Sequence, residues 1–374
     1  MDSKTVTSQV LRYEDPAYIP LGMYAIDTDT ASRILGYKTY VRDKAGIQLA
    51  LWAGRRDEVA QSLKEDSVAL FNKLPCVDII IPFKEAALLP PKDYVPPKVK
   101  KLDSQTWETE TGTIYRYSEI TNDILPVYTP KPEHSEAYPA EPACTPPDPT
   151  IFEAYDYLVE KLSPTRFIAG LSGGFSPMIL RGGMEEGLME YGLNPEGVTA
   201  AAQHDAKVHD LQDKWYVRGN YDCVFIEADF ASTHGPLISP AMFREICLPI
   251  MKQRVHSLKK YSDKIILHSC GNTWSLLDMF VEAGVDCYQA LQTNAGMELA
   301  ALKAKYSRRL SFWGGVSVEN LISGTQDDVR QDVRRAIMQA RDDGGFILGP
   351  SHSVAFGANY DNFCALLDEH DRLK

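Results

Sequence analysis

The chain has 374 residues, 44% of them hydrophobic, which is enough apolar material for a large core and too much for a small module. A formal net charge of -12 argues against nucleic acid as a partner, and no apolar run approaches the ~20 residues of a membrane span. Seven cysteines, an odd number spread along the chain, and a polar N-terminus without a signal-peptide core point to reduced thiols in the cytoplasm.

Strand-like apolar runs stand at 19–24, 77–82, 166–171, 223–227, 264–268, 286–289, 310–313 and 345–348. Between them lie stretches apolar at helical spacing: 48–74, 239–260, 327–342 and 359–373. The second opens with Ser239 as N-cap and Pro240 at the first helical position. Strands alternating with helices imply parallel pairing through right-handed crossovers. About eight such units over roughly 250 residues or more is the count of a (β/α)8 TIM barrel. An open doubly wound sheet shares that alternation, but its nucleotide-binding form carries a glycine fingerprint after the first strand, and "GMYAIDTDT" has none. The glycine-rich "GLSGGFSP" at 170–177 has neither of the usual phosphate-binding spacings. Residues 106–129 alternate like a β-hairpin with a Thr-Gly turn, and the proline-dense 126–149 reads as an extended connector. The expectation is an α/β chain: one barrel domain over 1–374, with an inserted hairpin and proline-rich loop at about 84–150.

In such a barrel, the loops leaving the C-terminal strand ends build the active site. The polar residues at those ends are Glu227 and Asp229, with His234 close behind; His268 and Cys270; Gln289 and Gln292; and Ser351 and His352. His268 and Cys270, in "LHSCGN", stand at i and i+2, so an extended backbone points both to one side. With His352 and Glu227 they offer nitrogen, sulfur and oxygen donors, the set zinc prefers. Three protein ligands leave a place for substrate, and Glu227 is a fourth candidate. The bland alternative is a buried thiol beside a satisfied histidine. Glu227 and Asp229 also suit an acid–base pair, or salt bridges to Arg181 or Arg218. Tyr24, Phe175, Tyr288 and Trp313 are candidates for an aromatic wall or for core. His134, His204, His209 and His370 read as surface residues.

The segments "LHSCGN", "GPLISPAMFREICLPIMK", "LSFWGGVSVENLISGTQDDVRQDVRRAI" and "GGFILGPSHS" resemble the uroporphyrinogen decarboxylase superfamily, closely over 220–374 and loosely before. The resemblance implies a (β/α)8 barrel. True decarboxylases of this superfamily carry an arginine-rich loop after the first strand, and here "GMYAIDTDT" has no arginine. The corrinoid-dependent methyltransferase branch binds zinc through His-x-Cys and a later cysteine. His268 and Cys270 match the first two positions, and His352 stands at the third. The stretch "IPLGMYAIDTDTASRILGYKTYVRDKAG" looks like the methyltransferase I components of anaerobic O-demethylase systems. This likeness implies zinc held by His268, Cys270, His352 and Glu227. It further implies a methoxylated aromatic donor and a separate corrinoid (cobalamin) protein whose cobalt accepts the methyl group. Asp229 or His234 would then protonate or orient the leaving group, and Tyr24, Asp27 and Trp313 would line the pocket. Methanol or methylamine donors, a metal-free decarboxylase and a non-catalytic corrinoid-protein-binding barrel are the competing readings.

Overall fold

In the computed structural model, which describes residues 2–130, 142, 144–340 and 344–374, the apolar runs pair side by side in parallel. The chain begins with a helix, Ser3–Leu11, capped by Asp2, whose side chain accepts from the Thr5 N–H. This helix was not foreseen, because its apolar face amounts to Val6 and Val10–Leu11 in an otherwise polar stretch. Val10 and Leu11 pack with Ile79, Phe167, Phe225, Ile266, Trp313 and Ile347, the inward side chains of the sheet. They plug its N-terminal end.

The run at 19–24 makes isolated bridges and no regular strand. Gly22 N–H donates to Leu348 O (2.8 Å), Leu348 N–H to Pro20 O (2.9 Å) and Met23 N–H to Ile79 O (3.2 Å). Proline supplies a carbonyl and no N–H, which limits the ladder here. The segment nevertheless joins the first strand of the sheet to the last. β1 is Ile79–Ile80. The insertion follows as β2 (Val99–Lys101), β3 (Thr106–Thr109), β4 (Ile114–Ser118) and β5 (Asp123–Tyr128), an antiparallel sheet in that order. The expected hairpin is therefore the β3–β4 part of a four-stranded meander, turning at Gly112 with φ 79°. It docks on the helix Lys44–Trp52, where Trp52 meets Trp107 and Tyr115 with ring centroids 6.0 and 5.3 Å apart. Much of the proline-rich connector, His134 included, lies outside the described residues.

β6 (Phe167–Gly170) and β7 (Cys223–Glu227) continue the parallel sheet, and a small hairpin, β8 (Ala231–Ser232) and β9 (Gly235–Pro236), follows β7. β10 (Ile265–His268), β11 (Cys287–Leu291), β12 (Ser311–Val316) and β13 (Phe346–Pro350) complete it. The order is β1-β6-β7-β10-β11-β12-β13, and the 20–23 segment closes the ring between β13 and β1. The (β/α)8 reading thus holds, with one stave irregular.

Two helices differ from expectation. The stretch 48–74 splits into Lys44–Trp52 and Arg56–Asn72, because Gly54 takes φ 73° and turns the chain between them. The stretch 239–260 begins as foreseen, with Ser239 accepting from Met242 N–H at 3.2 Å, but has a π-turn at Phe243–Cys247. Pro249 has no N–H to give the preceding turn, and the wider turn absorbs the mismatch.

Candidate metal centre and its cleft

Every parallel strand delivers its last residues to one rim, so the chemistry is a question of which side chains face inward there. His268 ends β10 and is 4% exposed. Cys270 follows two residues on, and its Sγ lies 3.3 Å from His268 Nε2. His352 comes from the loop after β13, and one donor atom from each of the three lies within 4.8 Å of the others. Gln289, opposite His268 in the β10–β11 register, accepts from His268 Nδ1 through its Oε1. That leaves Nε2 facing Cys270. Ser353 Oγ engages His352 Nδ1 at 3.0 Å, so Nε2 is again the nitrogen left over. The Tyr24 ring stacks on His268 with centroids 4.4 Å apart and 20° between planes.

Local backbone explains this placement. Gly271 turns the chain at φ 82°, and a Cβ there would lie 2.5 Å from the Ala231 carbonyl oxygen, so glycine is required. Gln292 Oε1 accepts from Gly271 N–H at 2.6 Å, and Asp229 Oδ1 from Cys270 N–H at 2.9 Å. Beside Gln289 the β11–β12 register shifts, with Ala290 at φ 90°. Such a bulge re-aims the neighbouring side chains of a strand.

Burial lowers the affinity of both imidazoles for a proton, and His352, where a proton would also be repelled by one on His268, falls to about 4. Burial pushes the Cys270 thiol up to about 12, with the Asp229 and Glu227 carboxylates adding to it. The metal-free cluster is therefore two neutral imidazoles and a thiol. A tetrahedral zinc site with bonds of 2.0–2.3 Å sets donors roughly 3.3–3.8 Å apart, and structural support for each ligating imidazole is the rule. The His268–Cys270 distance, the compact third donor, the Gln289 and Ser353 contacts and the nitrogen–sulfur chemistry all fit that ion.

Several candidates sit elsewhere. Glu227 falls outside the three-donor group, because its Oε2 accepts from Tyr24 OH at 2.8 Å and pairs with Lys84 Nζ at 2.5 Å. Burial would raise this carboxyl, but the Lys84 ammonium and the Tyr24 hydroxyl outweigh it and hold it low. Of the arginines suggested for it, Arg218 pairs instead with Asp156 at 2.5 Å. Trp313 is fully buried, donating from Nε1 to Gly22 O at 3.3 Å inside the barrel, so it is core and not pocket wall. Tyr288 is likewise core, its hydroxyl donating to Ser269 O at 2.6 Å. Asp27 is buried and committed to Arg42 (2.9 Å) and to the Phe356 N–H (3.0 Å), a loop anchor beside the rim. His234 stands in the exposed turn between β8 and β9, outside the three-donor group. Asp229 remains at the rim, 3.9 Å from His268 Nε2. His370, read as a surface residue, is 1% exposed and bonded through Nε2 to Ile19 O.

Lys84 escaped notice in the sequence. It lies just past β1, and the strand-end rule that found the histidines also points to it. Its Nζ sits 4.7 Å from the centre of the Tyr24 ring. Beside Glu227 opens a cleft of about 430 Å³ lined by Phe83, Leu171, Phe175, Tyr216 and Phe225. The loop that carries Phe175 is held from behind. Arg254, fully buried, pairs with Asp213 at 2.9 Å and donates to Gly174 O at 3.0 Å, and Gly173 N–H donates to Asp213 at 2.9 Å.

The uroporphyrinogen decarboxylase (URO-D) family model matches residues 121–373. A methylated-thiol–coenzyme M methyltransferase of Methanosarcina mazei is 28% identical over 140 residues, 36% of this chain and 34% of that protein. The chain thus spans about a third of the length of that curated relative. Among solved structures, a methyltransferase from Methanosarcina mazei aligns over 100% of this chain and 99% of its own, at 18% identity and a TM-score of 0.63. A putative vitamin-B12 independent methionine synthase from Listeria monocytogenes aligns over 96% and 98%, at 11% identity and a TM-score of 0.50. At such identities the likeness is one of fold. The family match covers most of the barrel and both histidines and the cysteine of the cluster: the chain belongs to the uroporphyrinogen decarboxylase family.

Proposed function

We propose that this protein is a zinc-dependent methyltransferase that moves a methyl group from a methoxylated aromatic compound to the cobalt of a separate corrinoid protein. The observation that carries this reading is the convergence of His268, Cys270 and His352 at the C-terminal rim of the barrel. Those three residues would hold the metal, which supplies Lewis acidity against the charge that grows on the leaving oxygen. Gln289 and Ser353 fix the two rings, and Tyr24 covers the face of His268. Asp229, at the solvent edge of the cluster, is placed to orient the departing group and return a proton to it. The partial match to a methyltransferase supports the reaction class.

The decarboxylase reading is disfavoured by charge. At the rim Arg42 is paired with Asp27, and Lys84 with Glu227, so a polycarboxylate would compete with carboxylates already in place. Metal analysis of the purified protein, then of Cys270→Ala, tests the centre directly. Methyl transfer is read from the cobalt absorption change when a reduced corrinoid protein is offered an aryl methyl ether. A parent protein without zinc sinks the mechanism.

A further inference from the structure

The cleft beside Glu227 is apolar and aromatic on its walls and charged at one point only. Among the described residues that line it, Glu227 is the sole ionised group. Its volume of about 430 Å³ lies in the range of small-ligand sites, and flat aromatic walls suit a benzene ring. Glu227 does not stand alone, since Lys84 neutralises it at 2.5 Å and the Tyr24 hydroxyl donates to it. The wall of the cleft at Glu227 is therefore polar yet close to zero in net charge. A second cation near the rim, Arg42, is already held by Asp27 at 2.9 Å.

A ring carrying a neutral hydroxyl can donate to a free lone pair of Glu227, whose charge Lys84 balances from behind the wall. A ring carrying a carboxylate must lose its water in an apolar cleft and then face Glu227, a like charge. We propose that this cleft binds the uncharged ring of the methyl donor, a methoxyphenol and not a methoxybenzoate, and that the Lys84–Glu227 pair makes that choice. The substrate class rests on the methyl-transfer reading, whereas the ring preference can be measured without turnover.

The zinc-loaded full-length protein is titrated calorimetrically near pH 7 with 2-methoxyphenol and with 4-methoxybenzoate. The phenol binds at least about tenfold more tightly. Glu227→Gln leaves the Lys84 charge uncompensated, so the preference shrinks or reverses toward the benzoate. Lys84→Met leaves the carboxylate uncompensated and widens it. These opposite shifts are a readout that general loss of structure does not produce, and circular dichroism confirms that each variant is folded. Phe175→Ala weakens both rings alike. Equal or tighter binding of the benzoate by the parent, an unmoved ratio in both charge variants, or no binding of either ring overturns the assignment. If the phenol binds as expected and no methyl group reaches any corrinoid protein, the catalytic reading fails and the cleft assignment stands. Methyl transfer that favours the carboxylated ring does the reverse.

Discussion

Gln289 holds His268 by its Nδ1, and the β10–β11 register sets the two residues directly opposite each other. Because the glutamine oxygen can only accept, the imidazole proton sits on Nδ1 and the Nε2 lone pair faces Cys270. Gln289→Leu therefore weakens zinc affinity by about 10–100-fold, read by competition with a chromophoric chelator. The Gln289 Nε2 is buried without a hydrogen-bond partner among the described residues, so its removal offsets part of the thermal-stability cost of leaving the His268 Nδ1 proton unpaired.

Loading the centre releases a proton. Both histidines are already neutral near pH 7, whereas Cys270, pushed up to about 12, must ionise to bind metal. Calorimetry in two buffers of different ionisation enthalpy finds close to one proton released per zinc bound near pH 7.5. Apparent affinity rises about tenfold per pH unit below the thiol value. Cys270→Ala abolishes the release together with tight binding.

Arg254 is the keystone of the loop under the cleft. Removing one member of a buried ion pair costs about 3–5 kcal/mol, because the other charge is left uncompensated. Arg254→Met strands Asp213 and frees Gly174 O, so it lowers urea stability by roughly that amount. It also exposes residues 172–175 to faster amide exchange. A double replacement, Arg254→Met with Asp213→Leu, recovers part of the loss.

Stability at low pH depends on Glu369. Burial alone would raise its carboxyl, but hydrogen bonds from Arg334 (2.7 Å) and Arg372 outweigh burial and hold it at about 2, below the ordinary 4.5. A depressed carboxyl contributes stability that is fully present above about 4.5 and disappears as pH falls through about 2. Glu369→Gln is thus less stable than the parent by about 1–2 kcal/mol at neutral pH, given how exposed the arginines are. The gap closes on acidification, as urea midpoints across that range will record.

The barrel was legible because its period is coarse: apolar runs such as 223–227 and 264–268 alternate with amphipathic helices, and each run met its partner. The strand-end rule then named His268, Cys270 and His352, although 82 residues separate the last two in the chain (352 minus 270). The same rule was applied too narrowly to reach Lys84, because β1 is only two residues long and runs straight into the helix Pro82–Glu85. Glu227 was named, but Lys84 and Tyr24 were not named as its partners, since no spacing in the chain shows that they converge on it. Trp313 was placed at the rim when its indole lies inward, over Gly22, where a Cβ would come within 2.5 Å of the ring. Which face of a buried strand looks to the centre is not written in a run that is apolar throughout. His370 shows a related gap, because one buried hydrogen bond to Ile19 O distinguishes it from a surface histidine.

The ring is joined by a seam of single bridges, Leu21 to Leu348 and Gly22 to Ile79. Ile79 is made early, but Leu348 lies far along the chain, so a nascent chain emerging from the ribosome leaves the other side of residues 20–23 without a mate until residue 348 has been made. Closure is thus a late, long-range event that fast local helix formation cannot anticipate. Until then the growing sheet exposes two raw edges, and protection from neighbouring chains must come from elsewhere.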